Sequence, residues 1–117
     1  FQSNTSAQGI YLSRTTEMTI TNNRITGQIG IYGIYMSNMN APTTSGSQNL
    51  IANNVINGDF SSTTPRAIYL VASTTDGTDR LIIAHNSIEL RSNTTSTSAN
   101  GVIFLTGGSA TAPAVDS

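Results

Sequence analysis

The chain contains no cysteine, no tryptophan and no lysine. Without cysteine it can form neither disulfide bonds nor thiolate metal sites, and it has no thiol nucleophile. Its five basic residues are therefore all arginine, and six carboxylates bring the net charge to −1. Because charges of both signs are scattered, the sequence has neither a basic stripe for nucleic acid nor a basic amphipathic face for a membrane surface. We expect no nucleic-acid partner.

Long apolar runs and helical periodicity are also missing. No stretch approaches the roughly 18 apolar residues of a membrane span, so we expect no membrane insertion. No window spaces its apolar residues as an amphipathic helix would. What is abundant instead is isoleucine (13) and threonine (18), which favour strands. The 117 residues suffice for one domain, and this composition predicts an all-β chain.

Two short phrases recur along the chain. The first carries an aromatic residue and occurs four times, as Gly9-Ile-Tyr-Leu12, Gly33-Ile-Tyr-Met36, Ala67-Ile-Tyr-Leu70 and Val102-Ile-Phe-Leu105. The second joins two apolar runs through a two-residue turn and occurs at 18–27, 49–58 and 81–90. Length varies between the phrases and not within them, which is typical of stacked structural repeats.

These repeats predict a right-handed parallel β-helix, a solenoid of about three and a half coils with three short strands in each coil. The coils would span 9–32, 33–66, 67–100 and 101–117. Equivalent apolar residues would form inward files, one of Ile20, Ile51 and Ile83, one of Ile25, Ile56 and Ile88, and one of Leu12, Met36, Leu70 and Leu105. Asn49 interrupts the alignment of Met18 with Leu81, and a small register shift in the second coil would explain this. The first residues, Phe1-Gln-Ser-Asn, carry no signal peptide, so either one was removed or the chain is a piece of a longer protein; we expect the second, a segment of a longer solenoid.

The asparagines Asn23, Asn54 and Asn86 occupy the same turn position in successive repeats. A sharp turn between strands needs a left-handed residue, and asparagine tolerates that conformation well. Stacked side-chain amides can also bond to one another along the axis. We therefore predict a structural asparagine ladder at these three positions.

The phrase Ile-Thr-Asn-Asn-Arg-Ile at 20–25, repeated as Ile-Ala-Asn-Asn-Val-Ile at 51–56, resembles the repeat of right-handed parallel β-helix proteins of the pectin-lyase-like superfamily. The resemblance covers residues 9–105 and is specific to fold. Such a resemblance implies a range of functions, from polysaccharide lyases and hydrolases to phage tailspikes and bacterial surface proteins. The lysine-free composition rich in Ser, Thr and Asn is most similar to large secreted or surface-anchored bacterial repeat proteins.

Enzymes of that superfamily use clustered carboxylates, often with calcium. The carboxylates here are Glu17, Asp59, Asp76, Asp79, Glu89 and Asp116. Glu17 and Glu89 do not match in register, so we expect no catalytic pair. Asp76 and Asp79 flank a glycine and are weak candidates for a calcium loop, although two carboxylates cannot supply six to eight oxygen ligands. A polar turn is the simpler interpretation, and the single histidine, His85, is interpreted as an exposed turn residue.

One aromatic residue recurs in each repeat, at Tyr11, Tyr35, Tyr69 and Phe104. If the neighbouring Ile and Leu point inward, these rings form an exposed strip on the outer face. Stacking would stabilise the solenoid wall, and the alternative is a strip that binds glycans or a protein.

The sequence thus favours a non-catalytic structural or adhesive segment of an extracellular or cell-surface bacterial β-helix protein, a stalk or filament. Its partners would be neighbouring coils or identical protomers stacked end to end, with glycans as further candidates. No cofactor is expected. Two alternatives stay open: a carbohydrate-binding or polysaccharide-degrading β-helix with its catalytic coils elsewhere, and a segment of a phage tailspike.

Overall fold

The computed structural model describes residues 8–72, 80–92 and 101–106, with the backbone alone at residues 101 and 104. This part of the chain contains ten strands and no helix, which confirms the all-β prediction for the described residues. The strands are β1 (Gln8–Ser13), β2 (Thr19–Thr21), β3 (Arg24–Ile29), β4 (Tyr32–Met39), β5 (Asn49–Ala52), β6 (Val55–Phe60), β7 (Arg66–Ala72), β8 (Leu81–Ala84), β9 (Ser87–Ser92) and β10 (Gly101–Thr106). Without a helix, these residues include none that could cross a membrane as a helical span.

Successive strands join three different sheets in turn, so that every third strand belongs to the same sheet. Sheet 1 has the order β1-β4-β7-β10, sheet 2 the order β2-β5-β8, and sheet 3 the order β3-β6-β9. All the pairings between these strands are parallel. We call three successive strands a coil, so that coil 1 is β1–β3, coil 2 is β4–β6 and coil 3 is β7–β9. The arrangement is consistent with a β-helix-like solenoid.

Isoleucines at equivalent positions lie opposite one another across the strand pairs. Ile20 pairs with Ile51 and Ile51 with Ile83 in sheet 2, and Ile25, Ile56 and Ile88 pair likewise in sheet 3. The core between the sheets is most complete in coil 2, where Ile34, Met36, Ile51 and Ile56 are fully buried. Equivalent residues of the outer coils, such as Ile10, Ile25 and Ile88, are only partly buried.

The expected register shift at Asn49 is wrong. Asn49 lies in register with Leu81 in the β5–β8 pair and is fully buried. Its Oδ1 accepts a hydrogen bond of 3.1 Å from the backbone N–H of Met18, and its Nδ2 donates one of 3.0 Å to the carbonyl of Asn40. Because both ends of the amide are satisfied, the polar side chain is tolerated in an apolar file.

An irregularity does occur elsewhere in coil 2, in strand β4. Met36 pairs with Leu70 but Met39 with Ala72, so β4 contains one residue more than β7 over this stretch. Asn38, within the extra length, has a left-handed backbone with φ of 55°. An extra residue of this kind is a β-bulge, which locally bends a strand and increases its twist.

We predict that Ile56→Ala destabilises the protein more than Ile25→Ala, although both residues belong to one file. Ile56 is fully buried between neighbouring coils, so its truncation leaves a cavity and costs about 3 kcal/mol. Ile25 is partly exposed, and its loss costs about 1 kcal/mol. Urea unfolding followed by circular dichroism measures both values. Equal costs would contradict a core centred on coil 2.

Candidate functional site: the asparagine and tyrosine ladders

The turns between sheets 2 and 3 have a left-handed residue at their first position. The φ angles are 59° at Asn22, 56° at Asn53 and 53° at His85. The sequence reasoning assigned this conformation to Asn23, Asn54 and Asn86, one residue later, and that assignment is wrong. Asparagine and histidine are among the non-glycine residues that adopt a left-handed backbone most readily, so either position was chemically suitable. His85 is exposed at its turn.

The second residue of each turn is an asparagine whose side-chain amide bonds to the equivalent amide of a neighbouring coil. We call Asn23, Asn54 and Asn86 the asparagine ladder. Asn54 Oδ1 accepts hydrogen bonds of 3.0 Å from both the backbone N and Nδ2 of Asn23. Asn54 in turn donates from its backbone N at 3.0 Å and from Nδ2 at 2.9 Å to Oδ1 of Asn86. Each amide therefore joins two coils.

The second Nδ2 proton of Asn54 and that of Asn86 each donate to a backbone carbonyl of the preceding coil. Asn54 Nδ2 donates to the carbonyl of Ile20 at 2.9 Å, and Asn86 Nδ2 donates to the carbonyl of Ile51 at 2.9 Å. Asn54 is fully buried, and all its side-chain hydrogen-bonding groups have partners. A buried amide is stabilising only when it is satisfied in this way, so the ladder fixes the alignment of neighbouring coils.

We predict that the same substitution has very different costs in stability at two adjacent turn positions. Asn53→Gly should change the free energy of unfolding by less than about 1 kcal/mol, because glycine readily adopts the left-handed backbone. Asn54→Gly should cost about 3 kcal/mol or more, since it leaves buried donors and acceptors of coils 1 and 3 without partners.

Chemical denaturation of the two variants measures this difference. The added backbone freedom of glycine is common to both variants, so each serves as the control for the other. Similar costs at the two positions would contradict the ladder.

On the outer face of sheet 1, Tyr11, Tyr35 and Tyr69 form a second stack, the tyrosine ladder. The ring centroids of Tyr11 and Tyr35 are 5.2 Å apart with an interplanar angle of 27°. Those of Tyr35 and Tyr69 are 5.1 Å apart at 7°. Phe104 pairs with Tyr69 through the backbone, while its side chain lies outside the described residues.

Two residues that the sequence reasoning did not select also join this ladder. The ring of Tyr32 lies 4.7 Å from that of Tyr35 and 5.0 Å from that of Tyr69. Arg66, in register with Tyr32, places its guanidinium carbon 4.2 Å from the centroid of the Tyr69 ring. Such a cation–π contact is favourable by about 0.5–1 kcal/mol at an exposed site.

Strand alternation alone would have placed Tyr32 on the opposite face from Tyr35, three residues later. Alternation breaks where two successive residues are buried, at Gly33 and Ile34 in β4 and at Ala67 and Ile68 in β7. The residues before each break therefore lie on the outer face with the tyrosine ladder.

The ring faces of the tyrosine ladder are largely occupied by contacts within the protein. Tyr35 stacks between Tyr11 and Tyr69, and Tyr32 packs against its side. A sugar ring binds an aromatic side chain through the ring face, so the interior of the ladder offers little room for one. The geometry favours stabilisation of the wall, since each stacked pair contributes about 0.5–1.5 kcal/mol.

The packing of the tyrosine ladder predicts a loss of stability in alkali. Burial, followed by the charges of Tyr69, Tyr32 and Tyr11, raises the pKa of Tyr35 above its usual 10.0. The folded state then holds the Tyr35 proton more tightly than the unfolded state does. Stability is therefore fully present below pH 10.0 and falls as the pH rises through the raised value.

Tyr35→Phe keeps the ring and removes the proton, so it should flatten this alkaline decline while leaving stability near pH 7 almost unchanged. Urea unfolding at a series of pH values between 7 and about 11 tests the expectation. An identical decline in the variant would show that Tyr35 is not the group involved.

The long loop between β4 and β5 is held by charged residues from both adjacent coils. Glu17 Oε1 accepts a 2.7 Å hydrogen bond from the backbone N–H of Thr44 and a 3.4 Å bond from the Thr43 hydroxyl. From the other side, Arg80 donates to the carbonyl of Thr44 at 2.9 Å and to that of Pro42. Hydrogen bonding from the hydroxyl and N–H of Thr44 lowers the pKa of Glu17. The loop is thus tied to the stack.

Two carboxylates meet on the exposed face of sheet 3, where Arg91 lies between them. Its Nε is 2.8 Å from Asp59 and its Nη1 is 2.8 Å from Glu89, which also accepts a 2.8 Å bond from Asn57. The sequence analysis considers Glu89 only against Glu17, and the convergence of Glu89 with Asp59 on Arg91 is not among its predictions. Exposed pairs of this kind contribute little stability.

No metal centre emerges from the described part of the chain. No group of three or more His, Cys, Asp or Glu residues converges there in a way that could hold an ion. The weak calcium candidates Asp76 and Asp79 lie outside the described residues, so the calcium prediction stays a prediction.

Comparison of the chain with models of known protein families, with curated proteins and with solved structures finds no match. Function is therefore inferred from the geometry of the chain itself.

Proposed function

We propose that this chain is a non-catalytic structural segment of a right-handed parallel β-helix of the pectin-lyase-like type, serving as part of a stiff extracellular stalk or filament. The observation that carries the proposal is the asparagine ladder, in which Asn54 bonds to the coil on either side of it. A structure whose buried polar contacts run from coil to coil is suited to extension along one axis.

Three features of the described residues support a structural role. In all three sheets the parallel strand pairs join successive coils, as the asparagine ladder does. The aromatic faces on sheet 1 are used in internal stacking, and the long loop is fixed by Glu17 and Arg80. Most of the prominent outward groups are thus already engaged within the molecule.

The location and source belong to the same proposal. A chain free of lysine and cysteine and rich in Ser, Thr and Asn is similar in composition to bacterial surface repeat proteins. We propose a cell-surface or secreted bacterial protein on that ground. The carbohydrate-active and tailspike alternatives stay predictions, and among the described residues the Asp59–Arg91–Glu89 group is a paired surface cluster that favours neither.

Duplicating an internal coil tests the proposal. A copy of residues 33–66 inserted after Arg66 restores the sequence junction, because Gly33 and Ala67 occupy equivalent positions on either side of it. Each new strand can pair in register with coils on both sides, so the chain should fold and lengthen by about 4.8 Å along the axis. Its denaturant m-value should also rise, since more surface is exposed on unfolding.

The matched control inserts the same 34 residues in scrambled order, which should behave as a long loop and leave the m-value unchanged. Small-angle scattering and urea unfolding measure both quantities. Misfolding of the ordered duplicate, or behaviour equal to the scrambled one, would contradict a repeating structural segment. Turnover of a polyuronate by the purified chain would contradict the non-catalytic part of the proposal.

A further inference from the structure

The end of coil 1 that points away from coil 2 has features that indicate a bound partner. Strands β1, β2 and β3 lie at the edges of their sheets. Beside them is a cleft of about 260 Å³ lined by Gln8, Gly9 and residues 25–29. Tyr11, which lies in β1 at the end of the tyrosine ladder, is 53% exposed.

A comparison of two paired glycines shows that an apolar side chain is missing from this cleft among the described residues. Gly27 and Gly58 pair in register in sheet 3. A Cβ built on Gly58 would lie only 2.5 Å from Cδ1 of Ile29, because the isoleucine of coil 1 packs directly over that glycine. A Cβ built on Gly27 meets no atom within 4 Å among the described residues. Among the described residues, nothing therefore lies over Gly27 as Ile29 lies over Gly58.

The asparagine ladder is incomplete at the same face. Oδ1 of Asn54 and Oδ1 of Asn86 each accept from the backbone N and Nδ2 of the asparagine one coil earlier. Oδ1 of Asn23 accepts no hydrogen bond within the described residues. Its Nδ2 donates to Thr21 of its own turn at 3.1 Å, whereas Nδ2 of Asn54 reaches the preceding coil.

We propose that the face of coil 1 binds one further parallel β-coil that carries the same asparagine turn. The incoming turn donates a backbone N–H and a side-chain amide proton to Asn23 Oδ1. The backbone carbonyl three residues before the incoming asparagine accepts from Asn23 Nδ2, as that of Ile20 does from Asn54 Nδ2. An isoleucine of the incoming coil fills the space over Gly27.

This occupant follows from continuity with the contacts between coils 1 and 2, which supply the same apolar and polar groups at the same relative positions. The side of a helix would fill the apolar cleft, but its backbone N–H groups are already hydrogen-bonded within the helix and could not supply the paired donors that Asn23 supplies to Asn54. The inference rests on the proposed function, because it requires the repeating coil.

The test inserts a copy of residues 9–32 between Gln8 and Gly9 of the full chain. The copy carries its own equivalents of Ile20, Asn23 and Ile29, so every group named above is present. Amide hydrogen exchange of the added asparagine turn is measured by NMR. We expect its backbone N–H to exchange at least tenfold more slowly than that of an exposed loop residue, and the thermal midpoint to rise.

The substitution Asn23→Ala provides the specific readout. In the parent chain it removes contacts on one side of the ladder. In the extended chain it should abolish protection of the added turn and lower the thermal midpoint by more than in the parent, approaching the effect of Asn54→Ala. Asn22→Gly is the matched control and should leave that protection in place, since Asn22 supplies backbone conformation only.

Free exchange at the added asparagine, with the internal duplication of residues 33–66 folding normally, would overturn the inference and leave the proposed function standing. Failure of both insertions would overturn both. Protection that survives Asn23→Ala would also overturn the inference, because the added coil would then be held by contacts other than the ladder.

Discussion

The structure depends on the satisfaction of one buried amide in each turn. No single coil can provide all the partners of the Asn54 side chain. Its Oδ1 accepts from Asn23 and its Nδ2 donates to Ile20, both in coil 1, whereas the same Nδ2 also donates to Asn86 in coil 3. Burying such a group without partners costs more than a typical hydrogen bond returns. The turns must therefore lie one above another, and the strands on either side of each turn are brought into parallel register by the same constraint.

The apolar files and the tyrosine ladder follow from that register. Once the turns are aligned, Ile20, Ile51 and Ile83 meet inside the stack and Tyr11, Tyr35 and Tyr69 meet outside it. Stacked rings and buried isoleucines add non-directional stability to an alignment that the amides specify. Within the part of the chain that the structure describes, the ladder ends at coil 1, where Oδ1 of Asn23 accepts no hydrogen bond and no atom lies within 4 Å of a Cβ built on Gly27.

Much of this architecture could be predicted from the sequence, because the spacing of the repeated phrases determines which residues pair between neighbouring strands. The recurrence of an Ile-x-Asn-Asn-x-Ile phrase, with His85 in place of the first asparagine in the third copy, was enough to align the strands of sheets 2 and 3. Spacing does not encode backbone φ, so the left-handed residue was assigned to Asn23 when Asn22 adopts it. Nor does it reveal that the inward amide of Asn49 can be satisfied by Met18 and Asn40. Tyr32 was missed because two successive buried residues at 33 and 34 break the alternation on which face assignment depends.

The most direct test of the central constraint is a scalar coupling across the hydrogen bond between the backbone nitrogen of Asn54 and the side-chain carbonyl carbon of Asn86, measured by NMR on isotopically labelled protein. A ladder with an N···O distance of 3.0 Å predicts that this coupling is present, and that an equivalent one joins Asn23 to Asn54. Couplings from these nitrogens to carbonyls across an antiparallel β2–β3 hairpin, with none between successive turns, would contradict the account.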